Sequence, residues 1–199
     1  MAKNKQYTPE NYSYGMDHEY VDLGLSVKWA TCNLGAYLPE ELGDYFAFGE
    51  IKAGKIDLEV YQSPPVDNIA GSDRDMARTN WGAPWRLPSK EEFQELIDRC
   101  EWRWTVKGSS HGYIVTSKVN GNSIFLPAAG YKWWAPFDGC ESAEDFTPCL
   151  EEFGISGNYW SSMGSGRDCN AVHLLFDASK SGIAYYPGAY GLSVRPVRN

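Results

Sequence analysis

The side chains that most often carry chemistry are few and scattered along this chain. Five cysteines, with no C-x-x-C pair among them, lie at positions 32, 100, 140, 149 and 169. Three histidines are spread over 199 residues without an H-E-x-x-H motif. Zinc and copper sites need several such ligands converging on one point. We therefore expect no transition-metal site and no cofactor, and cysteines that pack as small hydrophobic residues.

Other signatures of catalysis are also missing from the sequence. Gly164-Ser165-Gly166 has the wrong spacing for the nucleophile elbow of a serine hydrolase. No phosphate-binding glycine loop and no dinucleotide fingerprint occurs. The acidic run from Glu141 to Asp145 has enough carboxylates for calcium, but an acidic surface loop is the simpler interpretation. The sequence thus favours a protein that is not an enzyme.

Charge and hydropathy exclude two further classes of partner. The formal net charge of −8 and the pI near 4.9 predict repulsion from a phosphate backbone, so we expect no nucleic-acid binding. No apolar run is long enough to insert into a membrane, and residues 1–10 are polar, without the pattern of an export signal. The oligomeric state has no signature in the sequence.

Composition favours short strands and structured loops around a small number of helices. Aromatic residues make up 15% of the chain, and 20 glycines and 11 prolines supply turns. Ser89 and Glu92 form a capping box before an apolar stripe at helical spacing, which predicts a helix over 89–100. A second, shorter helix is predicted over 72–80, with Ser72 as its N-cap and Asp75 at the capping-box position.

The remaining elements are predicted as strands and turns of one α+β domain. Short strands are predicted at 20–23 and 27–30, and Asn120-Gly121 predicts a hairpin between 113–119 and 124–126. Closing strands are predicted at 159–162, 171–177, 183–186 and 192–197, and residues 132–153 are predicted to be an irregular insertion. With no internal repeat or linker, we expect a loosely ordered lead-in over 1–18 and a single domain over 19–199.

Several motifs follow one another in a defined order between residues 19 and 198. They are YVDLGL (20–25), KWATCNLGA (28–36), GDYFAFGE (43–50), WRLPSKEEF (85–93), FLPAAGY (125–131), NYWSS (158–162) and GLSVRPV (191–197). In type and order these motifs resemble the Fibrobacter succinogenes major paralogous domain family. Within them, Trp85, Arg86, Trp160 and Arg195 are interpreted as structural residues, because tryptophans fill cores and arginines bind carbonyl groups.

The resemblance implies a C-type-lectin-like fold and a place on a cell surface or virion. Members of that family, common in gut Bacteroidetes, are typically surface lipoproteins or adhesin modules without known catalysis. Some similar domains are variable proteins of diversity-generating retroelements. The implied function is ligand binding as an adhesin or receptor-recognition module, and the alternative is a structural module of a surface or fimbrial assembly. A formylglycine-generating oxidase, which has a similar fold, needs a C-terminal thiol pair, and here Cys169 stands alone.

The stretch around residues 163–190 is the candidate recognition surface. If 171–177 is a strand, Val172, Leu174 and Phe176 form one apolar face toward the core, and His173 and Leu175 face solvent on the other. The flanking loops are rich in Tyr, Gly, Ser and Asn, a composition typical of adaptable binding surfaces.

The predicted partner is a macromolecule, either a protein or a glycan. Tyrosines are expected to supply rigid anchors, with polar specificity from the loop before the strand. The predicted ligand-binding residues are Met163, Arg167, Asp168, Cys169, His173, Leu175, Tyr185, Tyr186 and Tyr190, with Trp133 and Trp134 as a secondary site.

Overall fold

The computed structural model describes residues 18–54, 67–136, 146–166 and 169–199. Within these residues two helices, α1 (Met76–Trp81) and α2 (Lys90–Arg99), accompany eleven strands. The strands are β1 (Tyr20–Asp22), β2 (Lys28–Ala30), β3 (Cys100–Lys107), β4 (Ser110–Ser117), β5 (Ser123–Pro127), β6 (Tyr131–Pro136), β7 (Phe146–Glu151), β8 (Ser156–Gly164), β9 (Asn170–Asp177), β10 (Lys180–Pro187) and β11 (Val197–Arg198). The predicted lead-in over 1–18 lies outside the described residues except for His18.

The strands form small antiparallel sheets, which confirms the predicted α+β class. Their orders are β1-β2-β11, β10-β9-β8, β3-β4-β5 and β6-β7. The first sheet pairs β2, near the start of the domain, with β11 at its end, through Val197 opposite Trp29. No helix in the described part of the chain is long and apolar enough to cross a bilayer.

The two helices begin where side chains satisfy their first amide groups. For α2 the predicted capping box is confirmed: the Glu92 amide donates to Ser89 Oγ at 3.2 Å, and the Ser89 amide donates to the Glu92 carboxylate at 2.7 Å. Helix α1 begins later than predicted, because Asp75 is its N-cap and accepts from the amides of Ala77 and Arg78. The prediction of Ser72 as N-cap is wrong, since its hydroxyl instead donates to the Ile69 carbonyl.

The predicted hairpin around Asn120-Gly121 is confirmed as β4 and β5, with Ile114 opposite Phe125. The predicted irregular insertion over 132–153 is wrong at both of its ends. There β6 and β7 pair from Tyr131 opposite Glu151 to Pro136 opposite Phe146, and residues 137–145 lie outside the described part. The strands of a two-stranded ribbon need not alternate apolar and polar residues, because neither face has to cover a core. The sequence pattern that predicts a strand is therefore weak here.

The sheet of β8, β9 and β10 lies between two clusters of buried side chains. One cluster contains Tyr159, Leu174 and Phe176, and the other contains Trp160 and Ala171. Because neighbouring residues of a strand point to opposite faces, the central strand β9 contributes to both clusters. Over residues 171–174 this strand is therefore covered on both faces, unlike strands of the half-exposed sheets that antiparallel strands usually form.

Arg195 binds two segments that are distant in sequence, one at residues 30–33 and one at Phe125. Its guanidinium is fully buried and donates to the carbonyls of Ala30, Thr31 and Phe125 at 3.0, 2.7 and 2.9 Å. Its Nε donates to Asn33 Oδ1 at 2.9 Å, and burial lowers the pKa of Arg195 below its ordinary value. This geometry confirms the structural interpretation of Arg195.

The other motif residues interpreted as structural also serve the core. Trp160 is fully buried and its Nε1 donates to the Phe46 carbonyl at 2.8 Å. Trp85 is buried, and Arg86 forms a 2.6 Å ion pair with Glu92 at the start of α2. These contacts confirm the structural interpretation of Trp85, Arg86 and Trp160.

Candidate functional site

The hairpin of β9 and β10 brings part of the predicted site together. Tyr186 pairs with Ala171 and Ala184 pairs with His173, so all four residues lie on one face of the sheet. The ring centroid of Tyr186 lies 5.4 Å from that of His173 and 4.7 Å from that of Tyr190. Two of the three predicted anchors are therefore direct neighbours.

Tyr131, which the sequence analysis did not include, completes this cluster. Its ring centroid lies 5.3 Å from that of Tyr186 and 5.8 Å from that of Tyr190. The contact depends on a bridge in which the amides of Lys132 and Gly191 donate to each other's carbonyls at 2.8 and 2.7 Å. No local sequence pattern predicts this bridge. Tyr131 is, however, the last residue of the FLPAAGY motif. We call Tyr131, Tyr186 and Tyr190 the tyrosine surface; all three are half-buried.

His173 lies beneath this surface, which corrects the prediction that it faces solvent. Only 1% of the residue is exposed, and its ring lies 6.0 Å from Trp160 as well as 5.4 Å from Tyr186. The prediction assumed that one face of β9 is open, whereas the second apolar cluster covers both Ala171 and His173. His173 can position the tyrosines but cannot contact a ligand from solvent.

Burial also fixes the charge of His173. Desolvation lowers its pKa to about 4, and the Ala184 backbone opposes this shift only in part. Nδ1 has no hydrogen-bond partner in the described structure. The imidazole is therefore neutral near pH 7 and forms part of the packed floor of the tyrosine surface.

The positions of Tyr185 and Leu175 contradict the prediction that the candidate residues of 163–190 share one solvent-facing surface. Tyr185 pairs with Val172, so its side chain projects from the face opposite Tyr186, where it is 57% exposed. Leu175 lies on the same face as Tyr186 but is half-buried, so the prediction that it faces solvent is met only in part. Val172, Leu174 and Phe176 are buried, as predicted.

Three other predicted residues, Cys169, Met163 and Trp133, differ in burial and in position relative to the tyrosine surface. Cys169 is exposed, and its carbonyl accepts from the Gly188 amide at 2.7 Å, which places it beside the loop that carries Tyr190. Met163 is half-buried at the end of β8. Trp133 is half-buried and lies two residues after Tyr131, on the same face of β6.

Three predicted residues cannot be placed in the site. Trp134 belongs to β6, but its side chain lies outside the described part. Arg167 and Asp168 lie wholly outside the described residues. Their predicted contribution to polar specificity thus stays a prediction.

Burial and neighbouring groups set the electrostatics of Tyr186. Burial raises the pKa of Tyr186 above its ordinary value, and a hydrogen bond with Tyr131 and the nearby charges of Tyr131, Tyr190 and Glu152 raise it further. The Tyr186 hydroxyl therefore stays neutral and can both donate and accept. In the part of the chain that the structure describes, no group of His, Cys, Asp and Glu side chains is arranged to hold a metal ion.

Comparisons of the chain with protein-family models, with curated proteins and with solved structures find no match. The resemblance in the motifs thus has no support from these comparisons. What the site does must be inferred from its own geometry and chemistry.

Proposed function

We propose that this protein is a non-catalytic binding module that recognises another protein through the tyrosine surface. The observation that carries the proposal is the packing of three half-buried tyrosine rings, from β6, from β10 and from the loop after β10, at centroid distances of 4.7 to 5.8 Å. Two segments distant in sequence, one with Tyr131 and one with Tyr186 and Tyr190, converge to place rings that are only partly buried. Core packing alone would not require their partial exposure.

Tyrosines held in this way have the properties of binding anchors. A tyrosine offers a large amphipathic contact area and has few rotatable bonds to immobilise, so partner binding loses little entropy. Here each ring is already restrained by two others, and the floor contributed by His173 is buried. Such preorganisation favours affinity because the cost of ordering the surface is met during folding.

The edge of the surface extends the contact area toward the size that a protein partner needs. Trp133 continues the face of β6 beyond Tyr131, and Cys169 borders the loop that carries Tyr190. Met163, at the end of β8, is half-buried. Aromatic and methionine side chains are enriched in protein interfaces. Two clefts border other parts of the domain, and neither of them includes a residue of the tyrosine surface.

We also propose a C-type-lectin-like fold and, within it, a variable protein of a diversity-generating retroelement. The motif order supports the fold, as does the pairing of β2 with β11. In the retroelement version, variation would fall on exposed positions such as 169 and 185, and the buried His173 would stay constant. A reverse transcriptase gene with a near-copy of the 3′ end of this gene beside it would support that version, and a neighbourhood without them would reject it.

The binding proposal is tested with two matched variants. Tyr186→Ser combined with Tyr190→Ser removes two anchors, whereas Tyr185→Ser removes a more exposed tyrosine from the opposite face. Each purified variant and the wild type are screened against an array of bacterial and host surface proteins. We expect the wild type and Tyr185→Ser to bind a common protein, and the double variant to lose at least about tenfold in affinity.

Thermal unfolding of all three proteins provides the control for folding. If the double variant stays folded and binds as the wild type does, the tyrosine surface is not the recognition site. If the wild type binds no protein of the array, the proposal of a protein partner fails.

A further inference from the structure

Strand β10 forms an open edge of the sheet that also contains β8 and β9. Its eight residues, Lys180–Pro187, pair with β9 along one side only. Helix α2 contacts β8, β9 and β10 alike, so it lies across one face of the sheet and does not cover this edge. Within the described ranges, no other strand pairs with β10. We call the outer side of this strand the β10 edge.

The pairing of β9 with β10 determines which main-chain groups point outward. A turn of two residues joins the strands, so Asp177 and Lys180 exchange hydrogen bonds, and bonded and non-bonded pairs alternate from there. Val172 and Tyr185 are therefore a pair without mutual hydrogen bonds. The Val172 carbonyl agrees with this, because it accepts from Ser161 Oγ on β8 at 2.8 Å and so points away from β10. The N–H and C=O of Tyr185 then point away from β9.

By the same alternation, Ser181, Ile183 and Tyr185 all turn their main-chain N–H and C=O groups toward the β10 edge. In the part of the chain that the structure describes, none of these groups has a hydrogen-bond partner. Lysine, proline and bulges commonly protect an edge strand from pairing. Here Lys180 and Pro187 stand only at the two ends of β10. The three outward residues between them thus form a row that is able to pair with another strand.

We infer that the β10 edge pairs, antiparallel, with the β10 edge of a second copy of this chain, about a two-fold axis at Ile183. Only this register pairs all three outward residues. Ile183 lies opposite Ile183 of the second copy, and Ser181 of each copy lies opposite Tyr185 of the other. The pairing forms about six main-chain hydrogen bonds. A two-fold arrangement is also closed, because it covers both β10 edges at once and leaves none for a third copy.

The side chains of β10 are complementary to themselves in this register. Lys180, the only charged residue of the strand, lies opposite Tyr186 of the second copy, where a cation is favourable beside an aromatic ring. The two Lys180 side chains are thereby kept at opposite ends of the pairing. Gly182 lies opposite Ala184, and no atom lies within 4 Å of a Cβ built at Gly182, so nothing obstructs the approach there. This fit in charge and size favours a second copy over a strand of unrelated sequence.

The inference goes beyond the proposed protein-binding function and does not rest on it, because main-chain groups form the pairing. It has a consequence for that function, however. Tyr186 of both copies would lie on the same side of one continuous sheet, so the dimer would present two tyrosine surfaces in one direction. Two linked sites raise the effective affinity for a partner that is repeated on a surface.

The first measurement is sedimentation velocity of the full chain in about 0.15 M salt, which screens the repulsion between two copies of net charge −8. We expect a monomer–dimer equilibrium with a Kd on the order of 100 µM, because small interfaces are weak. Amide hydrogen exchange, followed by NMR at about 10 and 500 µM, then locates the contact. The amides of Ser181, Ile183 and Tyr185 should exchange about threefold more slowly at the higher concentration. The amides that donate to β9, at Gly182 and Ala184, should be protected at both concentrations.

Two variants at one position separate the main chain from the side chain. Tyr185→Ser and Tyr185→Pro both remove the exposed ring, but only the proline removes the outward N–H. The proline leaves the pairing with β9 intact, because that N–H does not point toward β9. We expect Tyr185→Ser to keep the dimer Kd within about threefold and Tyr185→Pro to weaken it at least about tenfold. Thermal unfolding checks that both are folded, and Ser181→Pro replaces Tyr185→Pro if the latter is not.

Several outcomes would overturn the inference. They are a monomer at every concentration up to about 500 µM, equal dimerisation by folded Tyr185→Pro and Tyr185→Ser, or protection of the three outward amides already at the lower concentration. Protection of these amides by the protein found on the array, with no self-association, would assign the β10 edge to that partner and reject the second copy. The double variant Tyr186→Ser, Tyr190→Ser should still dimerise, so this inference and the proposed function can fail separately.

Discussion

The two faces of strand β9 are covered in different ways and to different extents. Leu174 and Phe176 on the first face lie in an apolar cluster with side chains of α2, β3, β4 and β8. Ala171 and His173 on the second face are covered by Trp160 and by Tyr186, whose own ring is half-exposed. On the first face, Val172, Leu174 and Phe176 are all core residues. On the second face, the buried His173 lies directly beneath Tyr186, which belongs to the candidate binding surface.

This difference shows how side chains of the candidate binding surface can be held by core packing without forming part of a pocket. The tyrosines pack against the second cluster and stay partly exposed to solvent. Their packing contributes to stability, so changes to the tyrosine surface should alter stability as well as binding. The first face should show larger effects that are purely structural.

The largest effect is expected on the first face, for Phe176→Ala. Phe176 is fully buried and lies within 6.4 Å of the rings of Trp102, Trp104, Tyr113 and Tyr159. It also fills the space beside Gly157 on β8, where any side chain would overlap its ring. Removing the ring should lower the free energy of unfolding by about 3–5 kcal/mol. Urea titration measures this loss, and a loss below about 1 kcal/mol would contradict the packing described here.

The second-largest effect is a pH dependence that arises from the second face. Burial lowers the pKa of His173 to about 4, whereas an unfolded chain has an ordinary value of about 6.5. As the pH falls from about 7 to 4, the unfolded chain binds a proton that the folded one excludes, so stability decreases. The loss should approach about 3 kcal/mol at the lower end of this window.

A His173→Leu variant isolates this contribution, because all other titrating groups are retained. We expect its stability to decrease less than that of the wild type between pH 7 and 4, when both are measured by denaturant unfolding. Parallel pH profiles for the two proteins would show that His173 titrates normally and is not buried as described.

Tyr185 and Tyr186 give a smaller and more direct comparison of the two faces. Tyr186→Ala removes packing against Tyr131, Tyr190 and His173 and should destabilise the protein by about 1–2 kcal/mol. Tyr185→Ala removes a mostly exposed ring and should stay within about 0.5 kcal/mol. Thermal unfolding of the two variants checks this order, and equal shifts in Tm would mean that Tyr186 is not held by the cluster.

The sequence predicted elements well where local chemistry decides them. The capping box at Ser89 and Glu92, the Asn120-Gly121 hairpin and the apolar face of β9 depend on residues close together in the chain, and all three are confirmed. Asp75 shows the limit of local inference. Its carboxylate also accepts from the Leu87 amide, twelve residues away, and a propensity argument for Ser72 cannot include that contact.

The candidate site was harder to predict because distant segments build it. The alternation of residues along β9 correctly predicted which side chains lie on each face. The sequence of the strand does not show, however, whether other elements cover the second face. That cover comes from Trp160 on β8 and from the tyrosine surface, whose Tyr131 lies more than fifty residues before Tyr186. Because histidine is a polar residue, His173 was predicted to be exposed. In the structure it is buried, and burial keeps its imidazole neutral near pH 7.

The smallest effect is expected for Leu175→Ala, with Leu174→Ala as its matched control. The two leucines are adjacent in sequence but point to opposite faces of β9. Leu174 is fully buried, so its truncation should cost about 2–4 kcal/mol. Leu175 is only half-buried and pairs with Gly182, which has no side chain to pack against it, so we expect a loss of less than about 1 kcal/mol.

Denaturant unfolding of the two leucine variants therefore measures how far the cover of the second face extends along β9. Ala171 and His173 are buried under Trp160 and Tyr186, whereas Leu175 lies one pair further along, opposite Asn158 and Gly182. If Leu175→Ala costs as much as Leu174→Ala, the cover continues past His173 and the second face is core along its whole length. A small loss would instead place the boundary between core and surface between His173 and Leu175.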